Sequence, residues 1–334
     1  MDRRLPEDAS REVRVEATGE VISALFCRIP VPGGAPFDLF VQAGADDDIT
    51  RALLAGSYTL PAPYSLLPAL APPGGRVIDL GAHLGTFALF AAALGHPVAA
   101  VEASPRNAAL LRESVRANGF SAVQVIGAAA SDRAGRLEFI ENGPYGLVAT
   151  PALPSPTVQV PALAVDDLVA DLGWDRVDFL KMDIEGSEVA AIRGMPRLLS
   201  RADAPALLFE SNGHTLDLFA ATPGELMASL EAFGYRCFYA GSGALVPASS
   251  REPQFECVVD CLAVKRLPAV IDPWKIVAPL SRDETIELAL RAAADPNPHI
   301  RAHVARALAE ADAAIRNDLR IVRACGGRHE KDGS

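Results

Sequence analysis

The chain has 334 residues, of which 31 are basic and 42 are acidic, so its formal net charge at pH 7 is −11. Hydrophobic residues make up 50% and charged residues 22% of the sequence, which excludes wholesale disorder. The acidic balance argues against a nucleic-acid-binding protein, because contacts with a phosphate backbone need clustered basic side chains. At this length we expect one large domain with additions, or two domains.

The sequence was next searched for a secretion signal, a membrane-spanning segment and paired cysteines. The N-terminal residues are charged and lack the apolar core of a secretion signal. No apolar run approaches the ~18 uninterrupted residues of a membrane span. The five cysteines form no CxxC pair, so we expect reduced cysteines that fill the core. These features predict a cytoplasmic protein with no membrane partner.

The first 72 residues predict a small accessory segment. Residues 13–15 and 21–29 have the composition of short strands. Three acidic residues at 46–48 precede an apolar run, which predicts a helix start, because acids are favourable at the positive end of the helix dipole. The Pro-Pro-Gly-Gly sequence at 72–75 predicts a joint. We therefore expect a lid or accessory segment at 1–72.

From residue 76 onward, apolar runs alternate with helical patterns. The predicted strands are 76–80, 98–101, 123–126, 177–182 and 206–209, and the predicted helices are 86–94, 105–118, 165–172, 188–199 and 222–233. Such alternation predicts an α/β fold in which a parallel sheet is covered on both faces. Residues 136–141 and 157–162 predict an inserted hairpin, and the runs at 235–239 and 257–264 predict an antiparallel pair that completes a domain at 73–266.

Residues 267–334 form a different C-terminal region. A capping box begins at Ser281, and a helical pattern resumes near Ile300 after a break at 295–298. One copy of a helical repeat is weak evidence for a solenoid, which needs about three repeats. The pattern therefore favours a helical hairpin packed on the main domain over a module that binds a partner.

A glycine turn follows the first strand of the main domain. It reads Asp79-Leu-Gly81-Ala-His83-Leu-Gly85, which lacks the GxGxxG spacing of a dinucleotide site. The Asp79 carboxylate would repel a phosphate but attract a sulfonium group. The turn therefore favours a cationic, phosphate-free ligand such as S-adenosylmethionine.

Carboxylates also follow the next two strands. Glu102 ends the second strand, at the spacing at which a carboxylate accepts hydrogen bonds from ribose hydroxyls. Ser131 and Asp132 follow the third strand, where contacts to adenine are expected. Three such groups on successive strand ends make a stronger signal than any one of them.

These residues, with two further blocks, resemble the FkbM-type S-adenosylmethionine-dependent methyltransferases. The blocks are LAVDDL at 163–168 and LKMDIEGSE at 180–188, beside VIDLGAHLG at 77–85 and VEASP at 101–105. The resemblance implies a class I methyltransferase fold, with a seven-stranded sheet whose last strand is antiparallel. It also implies methylation of hydroxyls on sugars or secondary metabolites. The family usually has Asn where this chain has His83, and Phe where it has Val101.

The motifs and the resemblance together predict a cofactor site. The residues expected to bind S-adenosylmethionine are Asp79, Gly81, His83, Gly85, Glu102, Ser104, Ser131, Asp132 and Asp183.

Methyl transfer to a hydroxyl needs a positioned acceptor and a general base. Open α/β sheets bind ligands at the carboxyl ends of their strands, which is where the polar residues after the fourth and fifth strands lie. The expected catalytic residues are Lys181, Asp183, Glu210 and His214, and the expected acceptor contacts are Tyr64, Tyr145, Glu185 and Asn212. No metal centre is predicted, because compact ligand spacing is absent; a divalent ion on Asp183, Glu210 and His214 is the alternative.

The sequence thus predicts O-methylation of a sugar or a secondary-metabolite small molecule. N- or carboxyl-methylation of a small molecule, peptide or carrier-bound substrate stays open, as does a homodimer. The glycine spacing disfavours a nicotinamide-dependent oxidoreductase. The intact set of strand-end carboxylates disfavours a silent binding module.

Overall fold

The computed structural model describes residues 10–241, 243–268, 271–311 and 315. Cys325 and the end of the predicted helical extension lie outside these residues. The strands are β1 (Ser10–Arg14), β2 (Val21–Ile29), β3 (Phe37–Gln42), β4 (Val77–Leu80), β5 (Val98–Glu102), β6 (Val123–Gly127), β7 (Ala129–Ala130), β8 (Gly135–Ile140), β9 (Leu147–Val148), β10 (Val158–Leu163), β11 (Phe179–Met182), β12 (Ala206–Asn212), β13 (Arg236–Gly241), β14 (Ala244–Ala248), β15 (Val258–Val264) and β16 (Lys275–Ile276).

Helices connect most of these strands. They are α1 (Asp48–Leu54), α2 (Leu66–Leu70), α3 (Thr86–Ala93), α4 (Pro105–Asn118), α5 (Val165–Asp171), α6 (Glu188–Arg193), α7 (Pro196–Ser200), α8 (Gly213–Leu218), α9 (Pro223–Glu231), α10 (Arg282–Ala293) and α11 (Pro298–Glu310). Short 3-10 turns occur at Ala62–Ser65 and Gly143–Tyr145. None of the described helices is long and apolar enough to cross a membrane.

The largest sheet has nine strands in the order β16-β14-β13-β15-β12-β11-β4-β5-β6. Five neighbouring strands of this sheet are mutually parallel, namely β12, β11, β4, β5 and β6. Strand β15 runs antiparallel to both of its neighbours, β12 and β13. This confirms the predicted α/β class and the antiparallel last strand of a class I methyltransferase sheet. Two strands, β14 and β16, extend the expected seven to nine, because the chain after β13 turns back at once and pairs with it.

The N-terminal strands form a separate antiparallel sheet that packs against α4. Strands β1 and β2 are close to the predicted segments, whereas β3 was not predicted. The Phe40 amide donates a hydrogen bond of 2.9 Å to the Ser114 hydroxyl. The Asp38 amide donates one of 2.8 Å to the Asn118 side chain. These two hydrogen bonds therefore fix β3 to α4.

Three local features differ from the sequence prediction. The predicted helix at 188–199 is two helices, α6 and α7, because Pro196 starts a new helix rather than continuing the first. The segments 136–141 and 157–162 do pair antiparallel, as β8 and β10, but within a four-stranded sheet. Helix α8 begins at a glycine, so its sequence carried little helical signal.

The C-terminal helices pack as an antiparallel hairpin with its own small core. Ser281 and Glu284 form the predicted capping box at the start of α10. Phe255, from the loop before β15, is buried in the core of the hairpin beside Ile286 and Val304. The described cysteines are buried and unpaired; they are Cys27, Cys237, Cys257 and Cys261.

Candidate active site

The glycine turn between β4 and α3 has left-handed backbone at Gly81, His83 and Gly85, with φ of 75°, 51° and 96°. A Cβ atom at Gly81 would lie 1.8 Å from the carbonyl oxygen of Asp183, so only glycine fits there. Asn, Asp and His adopt left-handed backbone more often than other residues that have a side chain, so His83 is compatible with its φ of 51°.

Glu102, at the end of β5, joins this turn to the next loop. Its two carboxylate oxygens accept hydrogen bonds from the main-chain amides of His83, at 2.7 Å, and Ser104, at 2.8 Å. Burial raises the pKa of Glu102 to about 7, although both amide donors oppose the rise. The Ser104 hydroxyl donates onward to Glu141 at 2.7 Å. One carboxylate thus fixes the two loops that meet at the strand ends.

A cavity opens between these loops and the inserted four-stranded sheet. The space between them, counted together with the open solvent at its mouth, is about 520 Å³. Its walls include five of the residues predicted to bind ligand, namely Gly81, His83, Glu102, Asp183 and Glu185. A buried carboxylate beside a turn that admits no Cβ suits the ribose of a nucleoside cofactor.

Five of the nine predicted cofactor residues do not line the cavity; they are Asp79, Gly85, Ser104, Ser131 and Asp132. Ser131 is buried and its amide donates to the Leu163 carbonyl at 2.8 Å, and Asp132 pairs with Arg133 at 3.1 Å. Gly85 lies under the Leu111 side chain, which leaves no room for a Cβ atom. Ser104 caps α4.

Asp79 lies behind the cavity rather than in its wall. It is completely buried, neither of its carboxylate oxygens has a hydrogen-bond partner, and Lys181 is its ionic neighbour at 3.8 Å. Burial raises the pKa of Asp79 to about 6, and Lys181 opposes that rise. Burial alone would lower the pKa of Lys181, but Asp183 and Asp79 together hold it well above its ordinary value. The ammonium therefore stays charged between two carboxylates.

Three carboxylates meet at the ends of β11 and β12. One oxygen from each of Asp183, Glu185 and Glu210 lies within 4.8 Å of the others; we call this group the carboxylate cluster. Burial, and then the like charge of Asp183, raises the pKa of Glu185 to about 8 and that of Glu210 to about 9. In the described part of the chain, this is the group whose ligand atoms could hold a metal ion. The alternative metal site considered from the sequence had His214 as its third ligand, whereas the structure has Glu185 there.

His214 lies away from the cluster, in a second cavity between α8 and the C-terminal hairpin. Its ring stacks at 4.3 Å on the ring of His299 from α11. Burial, followed by the proximity of His299, lowers the pKa of His214. Asn212 spans the two regions, because it caps α8 and donates a long hydrogen bond of 3.4 Å to Glu210.

The two tyrosines expected to contact the acceptor have different surroundings. Tyr64 is buried, its hydroxyl lies 3.1 Å from that of Thr86, and its ring packs edge-on against Phe87 at 4.9 Å. Tyr145 is exposed, and its hydroxyl donates to the Asp48 carboxylate at 2.8 Å. Tyr145 therefore joins the inserted sheet to the start of α1.

Sequence reasoning missed several residues of the cavity wall. Small or apolar side chains carry no chemical signal, and those that line the cavity include Val101, Ala103, Ala128, Ala129, Ala130, Phe139, Pro144, Val148 and Ile184. Asn107 also lines it, and its place three residues after the helix cap Ser104 was a signal that could have found it.

Comparison with known proteins agrees with this geometry. Residues 79–237 match the family model described as the methyltransferase FkbM domain. No curated protein matches the chain.

Three solved structures illustrate the structural likeness, each at low identity. A fibrillarin from Aeropyrum pernix with natively bound S-adenosyl-L-methionine is 16% identical, with TM-score 0.36, over 76% of this chain and 93% of that one. A TehB-like methyltransferase from Corynebacterium glutamicum is 14% identical, with TM-score 0.39, over 65% and 94%. A precorrin-6y C5,15-methyltransferase from Geobacter metallireducens is 15% identical, with TM-score 0.36, over 60% and 85%.

The glycine turn, the carboxylate that joins it to the next loop and the family match all fall in one stretch of sequence. On that basis the chain carries an FkbM methyltransferase domain at residues 79–237 and is an S-adenosylmethionine-dependent methyltransferase.

Proposed function

We propose that the chain methylates a hydroxyl group of a sugar or a secondary-metabolite small molecule. We assign the cofactor to the cavity beside the glycine turn and call it the cofactor cavity. The carboxylate cluster carries the proposal, because Asp183 and Glu185 line this cavity and Glu210 completes the group within 4.8 Å. When bound, S-adenosylmethionine supplies an electrophilic methyl group. The residues of the chain must then orient a hydroxyl and receive its proton.

A general base is most effective when its pKa lies near the working pH. Burial and like charge raise the pKa of Glu210 to about 9 and that of Glu185 to about 8, so both are mainly protonated at pH 7 and become available as bases as the pH rises. In our proposal Glu210 receives the hydroxyl proton, and Asp183, which accepts a 3.1 Å hydrogen bond from Lys181, orients the hydroxyl. Glu185 and Asn212 contact neighbouring groups of the acceptor.

The same cluster favours a hydroxyl over the alternative acceptors. Once Glu210 is deprotonated and can act as a base, the carboxylates of the cluster stabilise an ammonium group and raise its pKa, so an amine would be held in its unreactive, protonated form. An acceptor carboxylate would be repelled by like charge. A hydroxyl is neutral and has a proton to donate to a carboxylate, so it meets neither obstacle.

Radiolabelled methyl transfer from S-adenosylmethionine, measured with matched sets of acceptors, tests the proposal. Each set holds one sugar or polyketide skeleton bearing a hydroxyl, an amine or a carboxyl group at the same position. We expect label on the hydroxyl member, and a loss of about 100-fold or more in kcat for Glu210→Gln. Glu256→Gln, which changes an exposed carboxylate outside the cluster, is the control. Preferred labelling of the amine or carboxyl member would contradict the proposal.

A further inference from the structure

The loop before β15 lies between the end of β12 and the C-terminal hairpin. Gln254 is 5% exposed, and its side-chain amide donates to the Ser211 carbonyl at 3.0 Å and to the Glu256 carbonyl at 2.9 Å. The next side chain, Phe255, is buried in the hairpin core. Two consecutive residues therefore bind opposite partners, the strand on one side and the helices on the other.

His303 of α11 completes this connection. It is 3% exposed, and its Nε2 atom lies 2.8 Å from the Gln254 carbonyl. A carbonyl only accepts, so Nε2 carries the proton. The ring also covers Gly213, where a Cβ atom would lie 2.1 Å from Nδ1 of His303. The hairpin thus contacts the chain immediately after β12 as well as the loop.

These contacts surround the residue that we propose as the base. Ser211, which accepts from Gln254, directly follows Glu210, and Gly213 begins the helix that Asn212 caps. Asn212 itself donates to Glu210. On the other side, β15 pairs with β12 as far as Asn212. The end of the strand is therefore held from both sides, and one side is the hairpin.

We infer that Gln254 and His303 are positioning residues that hold Glu210 in the carboxylate cluster, so that the C-terminal hairpin completes the acceptor half of the active site. Both residues lie beyond the FkbM domain match, which ends at 237. Neither lines the cofactor cavity, so we expect cofactor binding to be unaffected when either is replaced. The inference rests on the proposed function, in which Glu210 acts on the acceptor.

The test is a carboxylate ¹³C NMR titration of the full-length chain, with the Glu210 signal assigned by its loss in Glu210→Gln. Gln254→Leu removes the donor to Ser211, and His303→Leu removes the donor to Gln254. Because burial is the main cause that raises the pKa of Glu210, we expect the midpoint of its signal to fall by at least about one pH unit as water reaches the loosened strand end. His303→Gln restores a donor at the same reach, so its midpoint should return towards the wild-type value.

Controls separate positioning from general damage. His299→Leu, on the same helix but exposed, should leave the midpoint unchanged. Binding of S-adenosylhomocysteine, measured by calorimetry, should stay within about twofold in every variant. The inference is overturned if the midpoint is unchanged in Gln254→Leu, or if that variant also loses affinity for S-adenosylhomocysteine. If His303→Leu does not fold, the result for Gln254→Leu decides the test alone. Normal methyl transfer by Glu210→Gln would instead overturn the proposed function.

Discussion

The ammonium of Lys181 lies 3.1 Å from the Asp183 carboxylate and 3.8 Å from that of Asp79, and its side chain is 10% exposed. Asp79 has no hydrogen-bond donor of its own, so Lys181 is its main compensation. Lys181 therefore connects Asp79, in the buried centre of the sheet, to Asp183 in the carboxylate cluster at the edge of the sheet.

Replacing this lysine should destabilise the fold. Lys181→Met leaves the Asp79 carboxylate buried without a counter-charge, which costs about 3–5 kcal/mol of unfolding free energy. Chemical denaturation at pH 7 measures the loss. Arg116→Met removes an exposed arginine from Glu113, which keeps its second ion pair with Arg11, so this control should leave the midpoint almost unchanged. A Lys181→Met protein as stable as the wild type would contradict this reading of the pair.

The stability of the protein should fall as the pH rises from about 5 to about 9. Burial raises the pKa of Glu102 to about 7, of Glu185 to about 8 and of Glu210 to about 9, each from an ordinary value near 4.5. Within that window the folded state binds more protons than the unfolded state, so unfolding becomes easier as protons are lost. Denaturation at several pH values should show this slope, and Glu210→Gln should flatten its upper part. A slope of the opposite sign would contradict the burial of these groups.

Methyl transfer should become faster with rising pH until the cluster is deprotonated. Because the carboxylates are close together, they titrate as a coupled set, with an apparent midpoint near 8–9. The pH profile of kcat with a hydroxyl acceptor measures this midpoint. In Glu210→Gln the residual rate should lose that dependence. A wild-type rate that is flat from pH 6 to 10 would exclude a carboxyl base of this kind.

Cofactor affinity should depend on Glu102 and not on Asp132. Glu102→Gln removes a charge-assisted acceptor for ribose hydroxyls, worth about 1.5–3 kcal/mol, or about 10- to 100-fold in Kd for S-adenosylhomocysteine. Asp132→Asn changes a predicted cofactor residue that lies outside the cavity wall, so its Kd should stay within about twofold. Calorimetry of both variants distinguishes the sequence expectation from the structural one.

The glycine turn should tolerate Asn in place of His83 but not Ala in place of Gly81. Gly81→Ala would place a Cβ 1.8 Å from the Asp183 carbonyl oxygen, so it should lower the melting temperature and abolish detectable cofactor binding. His83→Asn puts a residue that accepts left-handed backbone at a φ of 51°, so it should keep or raise stability. Thermal melts with and without S-adenosylhomocysteine check both, and equal behaviour of the two variants would contradict the argument.

Sequence patterns predicted the parallel sheet and the glycine turn because both depend on local order along the chain. The same patterns placed Asp183 and Glu210 near each other, since neighbouring parallel strands end at one edge. His214 was expected beside them, but Asn212 caps a new helix there and turns the histidine towards α11. The second cavity and the hydrogen bonds of Gln254 to Ser211 and His303 depend on contacts between segments that are distant in sequence. Local sequence patterns carry no information about such contacts.

Left-handed backbone at His83 and Glu185 has a consequence for how this enzyme can change. They are two of the three described non-glycine residues with positive φ, and both line the cofactor cavity. Each such residue costs about 1 kcal/mol or more. Glycine at either position would relieve that cost and remove a side chain from the site. Selection for heat resistance alone should therefore favour glycine at these positions, and the more robust variants should be the weaker catalysts.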